Sequence, residues 1–229
     1  MSYGTKNVGI VGDTHIPFER PDYLEFCKET FERHKVDTVV HIGDLIDHHA
    51  LSFHDSEPLL KGAHGEWVDA IERLQPWYKA FPKLTLCHGN HDLIPQRQLT
   101  KLGMPAETWM RPLKEVYRMP KGWNIVDEVT IDGVLYHHGY TAIGVNGFRN
   151  DSVRRMCRTV SGHCHSNAGV SATASQRRLV WGMAVGCGVD ATSLAFVYGK
   201  HFLNKPIIAC GLVLKGQPQV IYADLGESL

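Results

Sequence analysis

No apolar run in this sequence reaches the roughly 18 residues that a membrane-spanning helix needs. The chain also lacks net charge: 24 basic residues balance 24 acidic ones, so no global field draws it to nucleic acid or to a lipid surface. It has no CxxC pair. Its six cysteines, at 27, 87, 157, 164, 187 and 210, are scattered, which argues against a disulfide framework and for a reducing compartment. There is no repeat, no linker and no low-complexity stretch, so the expectation is one domain over residues 1–229, long enough for a full core. The first residues are polar and show no signal peptide. With the cysteines, this sets a cytoplasmic expectation. Charge is scarce in net but not evenly spread. Residues 1–69 carry 6 Lys and Arg against 13 Asp and Glu, an acidic excess of the kind a cation site uses. Histidine is frequent for this length. The chain has 14, and they cluster where apolar runs end.

Those runs set the architecture. Residues 7–12, 36–42 and 84–88 read as strands, separated by amphipathic stretches. Asp22 and Glu25 have the spacing of a capping box, and Leu24, Cys27, Phe31 and His34 follow at helical spacing. A second helix is expected over 65–81, with Trp67, Ile71, Leu74, Tyr78 and Phe81 on one face and a kink or early end at Pro76. Residues 93–123 carry four prolines and an excess of basic residues, and read as a loop-and-helix insertion. From 124 the pattern turns to β: a hairpin through Asp132-Gly133, a short helix near 151–157, and strands near 159–161, 168–173, 179–185, 207–214 and 219–223. A βαβαβ half followed by a β-rich half implies an α/β (α+β) fold, two mixed β-sheets flanked by helices in four αββα layers.

Five of these strands end in side chains able to bind metal. The run Val8 to Gly12 leads to Asp13 and His15, and Thr38 to Gly43 leads to Asp44. Leu84 to Gly89 leads to Asn90 and His91, Gly133 to His137 leads to His138, and Thr159 to Gly162 leads to His163 and His165. In open α/β sheets, sites form outside the carboxyl ends of strands. A mixed set of Asp, Asn and His suits Mn, Fe, Zn or Mg. Two such ions bridged by a carboxylate clamp the attacking and leaving oxygens of a phosphoryl transfer and generate a hydroxide near neutral pH.

The ordered blocks Asp13-x-His15, Gly43-Asp44, Gly89-Asn90-His91-Asp92, His138-Gly139 and Gly162-His163-x-His165 resemble the calcineurin-like metallophosphoesterase superfamily. The resemblance implies two divalent metal ions, with Mn ahead of Fe, Zn, Ni or Mg. Asp13, His15 and His165 would hold the first, Asn90, His138 and His163 the second, and Asp44 both. His91 would donate a proton to the leaving oxygen, and Asp47 matches a carboxylate that orients that histidine. The protein Ser/Thr phosphatases continue this block as GDxxDRG, whereas here His48 and His49 follow Asp47. The intact GHxH block is more like the phosphodiesterase and nuclease branches and many phage and bacterial phosphoesterases. The implied reaction is hydrolysis of a phosphate ester, leaning to diesters of nucleic acid or nucleotide type. The alternatives are a phosphomonoesterase and a non-catalytic binding scaffold of the same fold, whose mark would be loss of the acid histidine.

Other residues have plainer readings. His41, His88 and His137 alternate away from the strand ends and read as packed supports. His48, His49 and His54 belong to a substrate groove or to a solvated loop. Cys164 lies between two ligands and points away. The basic residues of 97–121 and 149–158 read as charged surface ahead of a phosphate-backbone contact. Trp67, Trp77 and Tyr78 read as core.

Overall fold

The computed structural model describes residues 6–53, 57–193 and 205–223. His54 lies outside them. The first sheet holds β1 (Asn7–Val11), β2 (Thr38–His41), β3 (Leu84–Cys87) and β4 (Trp123–Val126), all parallel. β10 (Ala209–Leu214) pairs antiparallel with the other side of β1, and β11 (Gln217–Tyr222) pairs with β10. The second sheet has the order β5 (Glu128–Ile131), β6 (Val134–His137), β7 (Arg158–Ser161), β9 (Leu179–Val185), β8 (Ala168–Ala174). β6, β7 and β9 are parallel, and β5 and β8 run antiparallel at the edges.

Strand alternation builds two cores. On β1, Val8 and Ile10 face one way, joining Val40, Ile42, Val134, Tyr136, Val160, Trp181 and Met183 between the two sheets. Val11 faces the other way. With Leu84, Leu86 and Trp123 it meets helices α1 (Tyr23–Arg33) and α2 (Ala63–Ala80) through Cys27, Phe31, Ile71, Leu74 and Trp77. Helix α6 (Gly147–Arg155) covers the outer face of the second sheet, where its Phe148 carbonyl stands against Gly182. The four-layer αββα sandwich with two mixed sheets is therefore the observed fold. Residues 93–123 form three short helices, α3 (Ile94–Lys101), α4 (Ala106–Trp109) and α5 (Leu113–Val116). Among the described residues no helix is long and apolar enough to cross a membrane.

Local expectations hold unevenly. Asp132 and Gly133 both take positive φ, 50° and 74°, which is the turn a two-residue hairpin uses. The capping box at Asp22 does not form. Its carboxylate accepts two bonds from the Arg20 guanidinium at 2.7 Å instead, and a charged fork outcompetes a backbone N–H. Helix α2 continues through Pro76 to Ala80, held by Leu74 and Trp77 in the core. Trp77 is buried, and Trp67 and Tyr78 pack against the same core.

Leu86 is fully buried on the helix side of β3. Leu86→Ala should cost roughly 2–5 kcal/mol of stability through lost burial and a residual cavity. Urea denaturation of the metal-free protein measures this, and a loss within error of zero would mean that Leu86 is not a core residue.

Candidate metal centre

The donors are gathered by parallel strands that all end on one side. β1 leads to Asp13 and His15, β2 to Asp44, β3 to Asn90 and His91, β6 to His138, and β7 to His163 and His165. Close approach of the loops requires glycine at two of these ends. A Cβ on Gly89 would sit 2.1 Å from Asp44 Oδ1, and one on Gly162 would sit 2.2 Å from Asp13 Oδ1. His15, Asp44 and His163 themselves take left-handed φ of 51°, 50° and 67°, a strained backbone of the kind found at functional sites.

All seven donors named from the sequence come together. His15 Nε2 lies 3.1 Å from His165 Nε2, and His165 Nε2 lies 3.2 Å from Asp13 Oδ2. His138 Nε2 lies 2.9 Å from Asn90 Oδ1 and 3.1 Å from His163 Nδ1. Asp44 belongs to both groups: its Oδ2 is 3.5 Å from His15 Nε2 and 3.4 Å from His138 Nε2. Two groups result, Asp13–His15–Asp44–His165 and Asp44–His138–His163 with Asn90.

This set fits divalent cations. His15 Nδ1 meets Asp47 Oδ1 at 2.5 Å, and His138 Nδ1 meets the Ile42 carbonyl at 3.2 Å. Both partners only accept, so each Nδ1 carries the proton and each Nε2 turns a lone pair inward. Asp13 Oδ1 is buried with no hydrogen-bond partner, a state that a cation relieves. Burial holds His15, His138 and His163 below the usual histidine pKa and brings His165 down to about 4, so these rings are neutral and free to offer a lone pair at pH 7. Burial also raises the pKa of Asp13, to about 6. Asp44 feels the same burial, yet the neighbouring His138, His91 and His15 rings and the His91 N–H hold it below the usual carboxylate range.

His91 differs from the ring ligands. Its Nδ1 donates to the Asp47 carbonyl oxygen at 2.6 Å and lies 3.3 Å from Asp47 Oδ1. Burial alone would lower its pKa, but the Asp47 hydrogen bond and the charges of Asp44 and Asp47 outweigh it and push it up to about 10. Asp47 therefore contacts His91, and also orients His15, a second task that the sequence did not suggest. Two further supports were not read from the sequence. Asp92 accepts from the N–H groups of Leu45, Ile46 and Gly89, clamping the Asp44 loop to the Asn90 loop. Asp151 accepts from Thr141 and Arg155 and lies 3.0 Å from His137 Nε2, holding the segment after His138 against α6. Asp92 at least stands inside the block that carries Asn90 and His91, whereas Asp151 has no local signal.

His41 and His88 are supports, bonded to Thr14 and Asp127, and His137 Nε2 stands 3.0 Å from Asp151 Oδ2. Cys164 turns to the Ala142 carbonyl, away from the donors. His48 and His49 are both buried, against expectation of a groove or solvated loop. His48 pairs with the Tyr117 hydroxyl, and His49 accepts from the Glu57 N–H.

The profile of the calcineurin-like phosphoesterase family matches residues 6–168. The chain belongs to this family. The match covers all seven donors and His91, and it ends at Ala168, where β8 begins. Curated protein sequences contain no match. Similar solved structures include Vacuolar Protein Sorting 29 from Cryptosporidium parvum, 15% identical over 96% of this chain and 97% of that one, with a TM-score of 0.45. Another is Vps29 from Chaetomium thermophilum, 13% identical over 91% and 84%, with a TM-score of 0.44. A third is Yfce, a phosphoesterase from E. coli, 14% identical over 91% and 88%, with a TM-score of 0.42.

Two expectations follow. Asp44→Asn should lower metal content at both groups, since one charge serves two cations, while Asn90→Ala should empty mainly the His138 group. Gly89→Ala should reproduce the Asp44→Asn result by displacing its carboxylate. Elemental analysis decides, and two ions retained in Asp44→Asn would remove the shared role. Separately, burial lowers the pKa of His41 from its ordinary value of 6.5 to about 3. The unfolded chain then takes up the extra proton first, so His41 withdraws stability as pH falls below about 6.5. The stability of the wild type relative to His41→Gln should therefore fall between about pH 7 and about pH 5, read from urea midpoints. A constant difference would show that His41 is not held neutral.

Proposed function

We propose that this chain is a dinuclear-metal phosphoesterase acting on phosphodiesters, with nucleotides and nucleic acid as the leading substrates. The observation that carries the reading is Asp44 Oδ2, placed between His15 Nε2 at 3.5 Å and His138 Nε2 at 3.4 Å, so that one carboxylate serves both donor groups. Asp13, His15 and His165 would hold one ion and Asn90, His138 and His163 the other. Mn is the first choice, with Fe, Zn, Ni and Mg as alternatives. When bound, two such ions lower the pKa of water and polarise a phosphoryl oxygen.

The chain's own residues supply the rest. His91 spends its Nδ1 proton on the Asp47 carbonyl, which leaves the Nε2 proton for a leaving oxygen. Asp47 orients the ring and keeps it protonated at pH 7. The lean to diesters is supported by His48 and His49. They follow Asp47 where protein phosphatases place a phosphate-binding arginine, and both are buried and bonded elsewhere. A reducing, cytoplasmic setting belongs to the same reading, because all six cysteines are free thiols.

Hydrolysis of a model monoester and a model diester, with Mg, Mn, Zn or Ni returned to metal-stripped protein, tests the class. Metal uptake without turnover of either ester would support the scaffold alternative. A general acid matters most when the leaving group is poor. His91→Asn should lose about 10²–10⁴-fold in kcat on an alkyl or nucleotide diester and much less on a nitrophenyl ester, with metal content unchanged. Asp47→Asn should show the same pattern more weakly. Equal losses on both leaving groups would assign His91 to holding the substrate instead.

A further inference from the structure

Residues 149–178 contain six arginines, no lysine and one acid, Asp151. That acid neutralises little at the surface. It is 3% exposed and already engaged by His137, Thr141 and Arg155. Arg155 also reaches Glu128 at 3.6 Å. Arg154, Arg158 and Arg177 have no ion-pair partner among the described residues, and Arg154 and Arg177 are exposed.

In the sequence these arginines form two separate groups, 154–158 and 177–178. The fold joins them. Arg178 Nη1 donates to the Met156 carbonyl at 3.3 Å, which pins the β8–β9 turn beside the junction of α6 and β7. At that corner Arg154 lies in the last turn of α6, Arg158 opens β7, and Arg177 and Arg178 immediately precede β9. β7 and β9 are parallel, with Thr159 opposite Gly182. Arg178 thus stands three residues behind the partner of Arg158, an offset of about 10 Å along the strands. The charges form a row rather than a single pocket. Exposed Val153, Met156 and Leu179 are interleaved with them. The row opens β7, while the donors His163 and His165 follow the other end of that strand, so it lies across the second sheet from the metal centre.

Positive charge gathered without neutralising partners repels itself, and an anion bound there offsets that repulsion. The guanidinium fork matches a phosphate through two parallel bonds, which a lysine does not do. A row longer than one phosphate matches a polymer of phosphates, and the interleaved apolar side chains offer contacts to sugars and bases. We propose that the row formed by Arg154, Arg158, Arg177 and Arg178 binds the phosphate backbone of a nucleic-acid strand, at a surface separate from the metal centre. This goes beyond the hydrolytic reading and does not depend on it, because it is read as binding and not as turnover.

The test is fluorescence anisotropy of a labelled single-stranded oligonucleotide with the full chain, with a chelator present so that nothing is cleaved. Arg154→Gln combined with Arg177→Gln removes two exposed charges and leaves the Arg178–Met156 bond in place. Lys121→Gln combined with Arg111→Gln removes the same charge from the insertion and is the control. The arginine-row pair should weaken binding and flatten the slope of log affinity against log salt by about 0.7 per arginine on a single strand. The control pair should do neither. Arg154→Glu with Arg177→Glu should weaken binding further, and thermal midpoints check that each variant is folded. Equal losses in the control pair would reduce the effect to general charge and overturn the proposal. So would a wild type that ignores the oligonucleotide and binds poly-glutamate, which would make the row a protein-docking surface.

Discussion

A carboxylate shared between two nests of imidazoles is the constraint around which this molecule is arranged. Asp44 is almost fully buried, and an isolated carboxylate there would be expensive. It is tolerated because His15 and His138 stand on either side and the His91 N–H donates to its other oxygen at 2.8 Å. Those partners come from β1, β6 and the loop after β3, so the two sheets must pack before the charge is satisfied. The close fit at Gly89 and the left-handed backbone at Asp44 itself are consequences of the same demand. Folding and site geometry are in this sense one problem. A loop that moved away by an ångström or two would leave a buried charge without compensation.

The shell around the donors follows a consistent logic. Two of the inward-facing rings are held from behind by an acceptor: Asp47 for His15, the Ile42 carbonyl for His138. Such partners set the tautomer and the ring angle together. Asp47 is the economical case, because it steadies one prospective ligand and one prospective acid with a single side chain and its own carbonyl. His15 and His91 are thereby coupled, their rings packed edge to face at 4.4 Å.

Much of this was legible in the sequence, because the site is written at the ends of strands. A strand announces itself by a β-prone run, and the residue after it is placed by the strand's direction. Asp13, Asp44, Asn90 and His138 are placed at one crevice for that reason. The supports were less legible. Asp92 reaches the Leu45 and Ile46 amides and Asp151 reaches His137 and Thr141, and no local period marks those partners. The capping box at Asp22 misled because Arg20, two residues earlier, offers a stronger partner than the helix does. His48 and His49 read as groove or solvated-loop residues, but both are buried and bonded to the Tyr117 hydroxyl and the Glu57 N–H, partners that only packing brings near.

The pairing of β10 with β1 carries a consequence of its own. Asn7 lies opposite Leu214 in that ladder, so among the described residues the first strand is completed by the last but one. All seven donors and His91 fall within residues 6–168, yet the strand that covers the flank of β1 does not. Contacts this distant in sequence close slowly, since the loop entropy is spent before the pairing returns anything. A nascent chain could therefore display every donor while its first sheet still had an open edge. Closure of the first sheet waits on Ala209–Leu214, well beyond the stretch that holds the donors.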